Sequence, residues 1–164
     1  MANISCDQLG RGHLVDHVES VLRRSGLAPG KLGLEVTERQ LARRIDDVDR
    51  DLGALRDLGV LLAVDDFGTG YASLDYLRRF AFDEIKIDRS FVSGHQDRTN
   101  VAVTASIAEL GRRLEIDVVA EGVETAEQYE RVKALGCHAA QGYLMQRPAP
   151  ASTITDLLAH LATG

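Results

Sequence analysis

Tryptophan is absent from this chain, aromatics are 5% of its 164 residues, and proline and cysteine occur three times and twice. So few prolines exclude a proline-rich linker or a collagen-like tract. The stretches Leu27-Ala-Pro-Gly30 and Arg147-Pro-Ala-Pro150 read as loops. Cys6 and Cys137 stand far apart with no CxxC, which argues for reduced thiols and against a disulfide frame or a zinc site. No apolar run exceeds Val60 to Val64, and Met1-Ala-Asn3 does not open a signal peptide. Membrane insertion and secretion are therefore not expected, and a cytoplasmic location is. Basic residues are outnumbered 25 to 19 by acids, for a net charge of −6, and no basic, aromatic-laced stretch occurs. DNA and RNA are poor partners for such a chain. An anionic ligand would need its charge met by something else, most simply a bound metal.

What the chain does contain is alternation. Short runs rich in Val, Ile and Leu recur at Ala2–Ser5, Leu32–Thr37, Val60–Asp65, Glu84–Asp88, Asp117–Ala120 and Cys137–Tyr143. Helical spacing fills the intervals. Leu14, Val15, Val18, Val21 and Leu22 lead to Gly26; Leu41, Ile45, Val48, Leu52, Leu55 and Leu58 lead to Gly59. A short helix is expected over Leu74 to Phe80 and a long one over Val101 to Leu114. Thr125-Ala-Glu-Gln128 has the form of a capping box for a helix that stops at Gly136, and Ser152 is the expected cap of a last one. Strands alternating with helices predict one domain with a parallel sheet of right-handed βαβ units, either a doubly wound open sheet or a (β/α) barrel. Several strands carry charge on alternate residues. In Ile85-Lys-Ile-Asp88 the isoleucines face one way and Lys86 and Asp88 the other. A strand with one face on helices and the other turning polar toward its C-terminal end favours the barrel, whose mouth is the reactive end.

The acids fall into two sets. Asp46, Asp47, Asp49 and Asp51 lie on a helical stretch and are expected on a solvated face. Glu35 with Glu38, Asp65 with Asp66, Lys86 with Asp88, and Glu121 with Glu124 all follow strand C-termini. Each alone could serve as a helix cap or first-turn acid. Parallel strands bring those ends together, and gathered carboxylates repel unless a cation sits among them. Oxygen donors of this kind suit Mg²⁺, Mn²⁺ or Ca²⁺. The two glycines of Asp65-Asp-Phe-Gly-Thr-Gly-Tyr71 form either a tight strand-to-helix turn or a segment that rearranges on binding. Lys86, directed inward, needs an anionic partner. His13, His17, His95 and His160 are expected at the surface, and His138 in a strand as a satisfied structural histidine.

Asn3-Ile-Ser5, Leu34-Glu-Val-Thr-Glu38, Asp65-Asp-Phe-Gly-Thr-Gly-Tyr71, Ile85-Lys-Ile-Asp88, Ala120-Glu-Gly-Val-Glu124 and Gln141-Gly-Tyr143 together resemble, in order and spacing, the EAL-domain family. Its members are bacterial phosphodiesterases that hydrolyse cyclic di-GMP to linear pGpG. The resemblance implies a two-metal hydrolase on a TIM-like barrel. It implies Mg²⁺ or Mn²⁺ as cofactor, with Ca²⁺ inhibitory or non-productive. By resemblance, Asn3, Glu35, Asp65, Asp66 and Glu124 are metal ligands, and Lys86 and Glu121 act on the attacking water and the phosphate. Glu38 holds the loop that ends at Tyr71, and Gln141 and Asp88 lie against the substrate.

Two departures accompany the match. No Glu-Ala-Leu sequence, the source of the family's name, occurs in the chain. Asn3 would already stand on the family's third strand, whereas a barrel of this type has eight strands in roughly 250 residues. The expectation is an incomplete TIM-like (β/α) barrel of about six of eight βα units. Residues 1–164 would form a partial EAL domain running from the third strand to the C-terminal helix. Its first and last strands are expected as exposed edges. The function expected is the C-terminal portion of a cyclic di-GMP phosphodiesterase, weak or inactive as an isolated chain. The alternative is a non-catalytic cyclic di-GMP-binding or protein-interaction module. A homodimer or an upstream regulatory domain is the expected protein partner.

Overall fold

In the computed structural model, residues 1–5, 7–10, 13–41, 45–70, 74–93 and 97–161 are described. Cys6, Tyr71 and His95 lie outside them, as do the side chains of Ile45, Asp46 and Asp47. Six strands form one sheet: β1 (Ala2–Asn3), β2 (Gly33–Thr37), β3 (Leu61–Phe67), β4 (Glu84–Ile87), β5 (Asp117–Ala120) and β6 (Ala139–Ala140). Every pairing is parallel, and the spatial order is the chain order. A doubly wound sheet reverses its order at a switch point. Strict sequence order is the topology of a (β/α) barrel, here an arc with β1 and β6 at its two edges.

The helices are α1 (His13–Ser25), α2 (Glu38–Leu41), α3 (Ile45–Asp57), α4 (Leu74–Arg79), α5 (Arg89–Ser93), α6 (Arg98–Leu114), α7 (Ala126–Ala134) and α8 (Ala151–Leu161), with a 3₁₀ turn at Pro29–Lys31. Period-2 alternation in the strands meets helical stripes. Leu34, Val36, Leu62, Val64, Ile85 and Ile87 pack with Leu14, Val18 and Leu22 of α1 and Val48, Leu52 and Leu55 of α3 in one core. The alternate residues Glu35, Asp65 and Lys86 turn to the other face, where they meet one another.

The expected ends hold in part. The Thr125 hydroxyl and the Gln128 side chain form both halves of the capping box. Gly26, Gly59 and Gly136 all take left-handed backbone, as helix-ending glycines do. The long helix starts earlier than Val101, at Arg98, because Asp97 accepts from Thr99 N–H at 2.8 Å and caps it. The last helix starts at Ala151, so Ser152 stands inside its first turn. The run at Cys137–Tyr143 yields only two strand residues. Beyond them Gln141 N–H still donates to Ala120 C=O of β5 at 2.8 Å, but Gln141 C=O accepts from Val123 N–H at 3.0 Å, and there the chain passes from the ladder to a loop. His138 precedes β6 rather than lying in it, yet its Nδ1 is satisfied by Val118 N–H at 3.0 Å.

Asp51 departs from the solvated face assigned to it. It is 2% exposed, and its carboxylate accepts from Gly10 N–H at 2.7 Å. Val48, Asp51, Leu52 and Leu55 stand at helical i, i+3, i+4 and i+7, so Asp51 shares the buried stripe. Among the described residues no helix is long and apolar enough to cross a membrane.

Candidate active site

A regular strand sends neighbouring side chains to opposite faces. The register of β3 against β4 shifts between Val64 and Phe67, and Asp66 sits in the left-handed region at φ 55°. Aspartate is one of the few residues that tolerate that conformation. The irregularity brings the adjacent carboxylates Asp65 and Asp66 to the same side, where one oxygen from each lies within 4.8 Å of one from Glu121. Asp66 N–H donates to Asp65 Oδ1 at 2.9 Å and braces the turn.

Lys86 stands at the floor of this cluster. Its Nζ lies 3.0 Å from Glu35 Oε1, 2.5 Å from Glu121 Oε1 and 3.8 Å from Asp65 Oδ1. The Lys86 side chain is 4% exposed and that of Glu35 7%. Burial works against the ammonium, but its bonds to Glu121 and Glu35 prevail and hold its pKa above the ordinary lysine range. The acids respond in the other direction. Burial raises the pKa of Asp66, with help from the charges of Asp65 and Asp88. Burial also raises that of Glu121, although Lys86 pulls it back down. The charges of Lys86 and Arg39 oppose the Asp66 shift without cancelling it, and carboxylates gathered in this way suit a divalent cation.

Glu38, 1% exposed at the start of α2, accepts from Gly68 N–H at 3.0 Å through Oε2 and so ties the loop after β3 to the helix after β2. Among the described residues its buried Oε1 has no hydrogen-bond partner. Asp88 Oδ1 accepts from Ser90 N–H at 3.0 Å at the start of α5. Gln128 Oε1 accepts from Glu124 N–H at 2.7 Å and Thr125 N–H at 3.0 Å, so the capping box of α7 also fixes the backbone that carries Glu124. Above the cluster opens a cavity of about 350 Å³, lined by Asp66, Asp88, Glu121, Glu124 and Gln141 together with Arg89, Gly122, Gly142 and Tyr143.

The residues singled out from the sequence thus divide. Asp65, Asp66, Lys86, Glu35 and Glu121 converge directly; Asp88, Glu124 and Gln141 line the cavity above them; Glu38 holds the adjoining loop. Asn3 is exposed on edge strand β1, in register with Glu35. Arg89 and Tyr143 escaped notice as pocket residues. The signal for Arg89 was its place directly after Asp88, at the C-terminal end of a strand whose neighbours all carry site residues.

The family model of the EAL domain matches residues 2–148. The cyclic di-GMP phosphodiesterase NbdA of Pseudomonas aeruginosa is 43% identical over 157 residues, covering 95% of this chain and 20% of that protein. Among solved structures, the PaMucR phosphodiesterase in complex with c-di-GMP superposes with a TM-score of 0.88 at 44% identity, over 93% of this chain and 63% of that one. The calcium/cyclic di-GMP complex of Klebsiella pneumoniae BlrP1 at pH 8.0 gives 0.85 at 37% identity, over 90% and 38%. The chain spans about a fifth of the length of curated relatives such as NbdA. Sequence order of the strands, an acidic cluster at their C-terminal ends and the match over residues 2–148 agree: the chain belongs to the EAL-domain family.

Proposed function

We propose that this chain carries the metal-binding and catalytic side of a cyclic di-GMP phosphodiesterase that yields linear pGpG, with low activity as an isolated 164-residue protein. The observation that carries the reading is the convergence of Asp65, Asp66 and Glu121 oxygens within 4.8 Å beside a buried lysine, under an open cavity. The gathering of the Asp65 and Asp66 carboxylate oxygens on one side supports a divalent cation held between them. The all-oxygen donor set supports Mg²⁺ or Mn²⁺. Asp65, Asp66, Glu35, Asn3 and Glu124 are the ligands in this reading. Two cations bound there supply an acidified water and neutralise the phosphodiester. The protein's own groups then do the rest. Lys86, already hydrogen-bonded to Glu121, offers an ammonium to charge developing on the phosphate. Glu121 orients the attacking water and takes its proton. Glu38 keeps the Asp66 loop in place through Gly68 N–H. Gln141 and Asp88 meet the ligand along the cavity wall.

A second reading is a cyclic di-GMP receptor without turnover, for which the same cavity and acidic cluster would serve. Chromatography of cyclic di-GMP incubated with the purified chain and Mg²⁺ or Mn²⁺ separates the two. The expected result is slow pGpG formation that EDTA and Asp65→Asn both abolish. Binding without turnover under either metal transfers the assignment to the receptor, and neither binding nor turnover overturns both.

A further inference from the structure

The cavity wall poses a charge problem that metal ions at its floor do not solve. Asp66, Asp88, Glu121 and Glu124 line it, and among the described lining residues Arg89 is the one cation. Lys86 lies below, committed to Glu35 and Glu121. Cyclic di-GMP has two phosphodiesters in one ring. Cations held by the carboxylate cluster can neutralise the phosphate that reacts. The other phosphate, carried into the same acidic cavity, needs a partner of its own.

Arg89 is built to serve as one. It is the first residue of α5, directly after the Asp88 turn in which Asp88 Oδ1 accepts from Ser90 N–H, so its backbone is fixed by the end of β4. Its side-chain stem rests on Gly122, at φ 69° in the segment that carries Glu121 and Glu124. A Cβ at Gly122 would collide with Arg89 Cβ and stand 3.3 Å from Arg89 Cα. The glycine thus meets two demands at once, a left-handed backbone and a seat for the arginine. The residue is exposed and, among the described residues, enters no ion pair with the acids around it, which leaves its guanidinium ready for a ligand. A planar fork of donors matches two phosphate oxygens where an ammonium offers only a point charge.

We infer that Arg89, seated on Gly122, holds the second, non-reacting phosphate of the bound cyclic dinucleotide and so selects ligands with two phosphodiesters over ligands with one. The inference rests on the cyclic di-GMP reading above. Arg89 is a binding and specificity residue; it takes no part in moving protons or breaking bonds.

Calorimetric titration of the full chain in Ca²⁺, with two probes, tests it. Cyclic di-GMP carries two phosphodiesters; linear GpG carries the same two guanines with one. Arg89→Ala is expected to weaken cyclic di-GMP binding by about tenfold or more while leaving GpG binding within about twofold, the scale of one charge-assisted phosphate contact. Arg89→Met preserves the stem on Gly122 and removes only the guanidinium, so it should lose affinity as Arg89→Ala does; Arg89→Lys should recover part of it. Equal loss for both probes, or full affinity in Arg89→Met, overturns the inference and leaves the wider function intact. A wild-type chain that binds neither probe, in Ca²⁺ or Mn²⁺, removes the cyclic di-GMP reading and this one with it.

Discussion

Lys86 lies within 4 Å of three carboxylates and is almost fully enclosed, so its loss is felt as unbalanced charge rather than as lost packing. A buried ion pair is a weak source of net stability, but removing one partner strands the other. Lys86→Met keeps the length of the stem and leaves Glu35, 5% exposed, without its counter-charge. The expected cost is about 3–5 kcal/mol, read as a lower urea midpoint in EDTA. The double variant Lys86→Met, Glu35→Gln should regain a good part of that loss. A midpoint unchanged in the single variant would show that the network is solvated and that the raised Lys86 pKa has another origin. Asp66 is the other residue on which the site turns. Its left-handed backbone at the β3 irregularity makes neighbouring acids into one donor set.

Elements position these residues by close approach. Helix α6 lies on β4 and β5, and Gly111 marks the contact. A Cβ at Gly111 would collide with Val118 Cγ2 and stand 2.8 Å from Ile116 C=O, a backbone atom that cannot swing aside. Alanine has the better helix propensity by about 1 kcal/mol, yet Gly111→Ala should still destabilise, by about 1–3 kcal/mol from overpacking. Thermal unfolding by calorimetry reads the sign; a raised midpoint would mean that α6 can move off the sheet without penalty. Much at this scale was legible beforehand. Val48, Leu52 and Leu55 announce α3 by spacing, Thr125 and Gln128 announce the start of α7, and polar residues alternating with Ile85 and Ile87 announce the inner face of β4. What eluded the sequence depended on tertiary partners. Spacing puts Asp51 on the buried stripe of α3, but the partner that lets a carboxylate stay there, Gly10 N–H, comes from a distant part of the chain. β6 is short because, although Gln141 N–H still donates to Ala120 C=O of β5, its C=O turns to Val123 N–H in the loop beyond that strand. The union of Asp65 and Asp66 on one side rests on a register shift that period-2 alternation argues against. The motif resemblance pointed to both acids regardless, without the geometry that joins them.

At the scale of the whole molecule, the sequential parallel sheet gathers one end of every strand, and chemistry-bearing residues occupy that end. The net charge of −6 is partly concentrated there, in Glu35, Asp65, Asp66, Asp88, Glu121 and Glu124, with Lys86 and Arg89 among them. An acidic protein can receive an anionic dinucleotide only if that charge is met by cations, which makes the carboxylate cluster and the ligand interdependent. β1 and β6 are the arc's edges, and the site lies along the inner face between them. The account therefore stands on one spatial claim, that a divalent cation held by Asp65 and Asp66, beside Glu121, meets a phosphate of cyclic di-GMP. An anomalous difference map from a crystal of this chain grown with Mn²⁺ and cyclic di-GMP measures it directly. The account predicts a Mn²⁺ peak within coordination distance of Asp65 and Asp66, with a ligand phosphate beside it; a ligand bound with no Mn²⁺ on them, or Mn²⁺ bound only elsewhere, would contradict it.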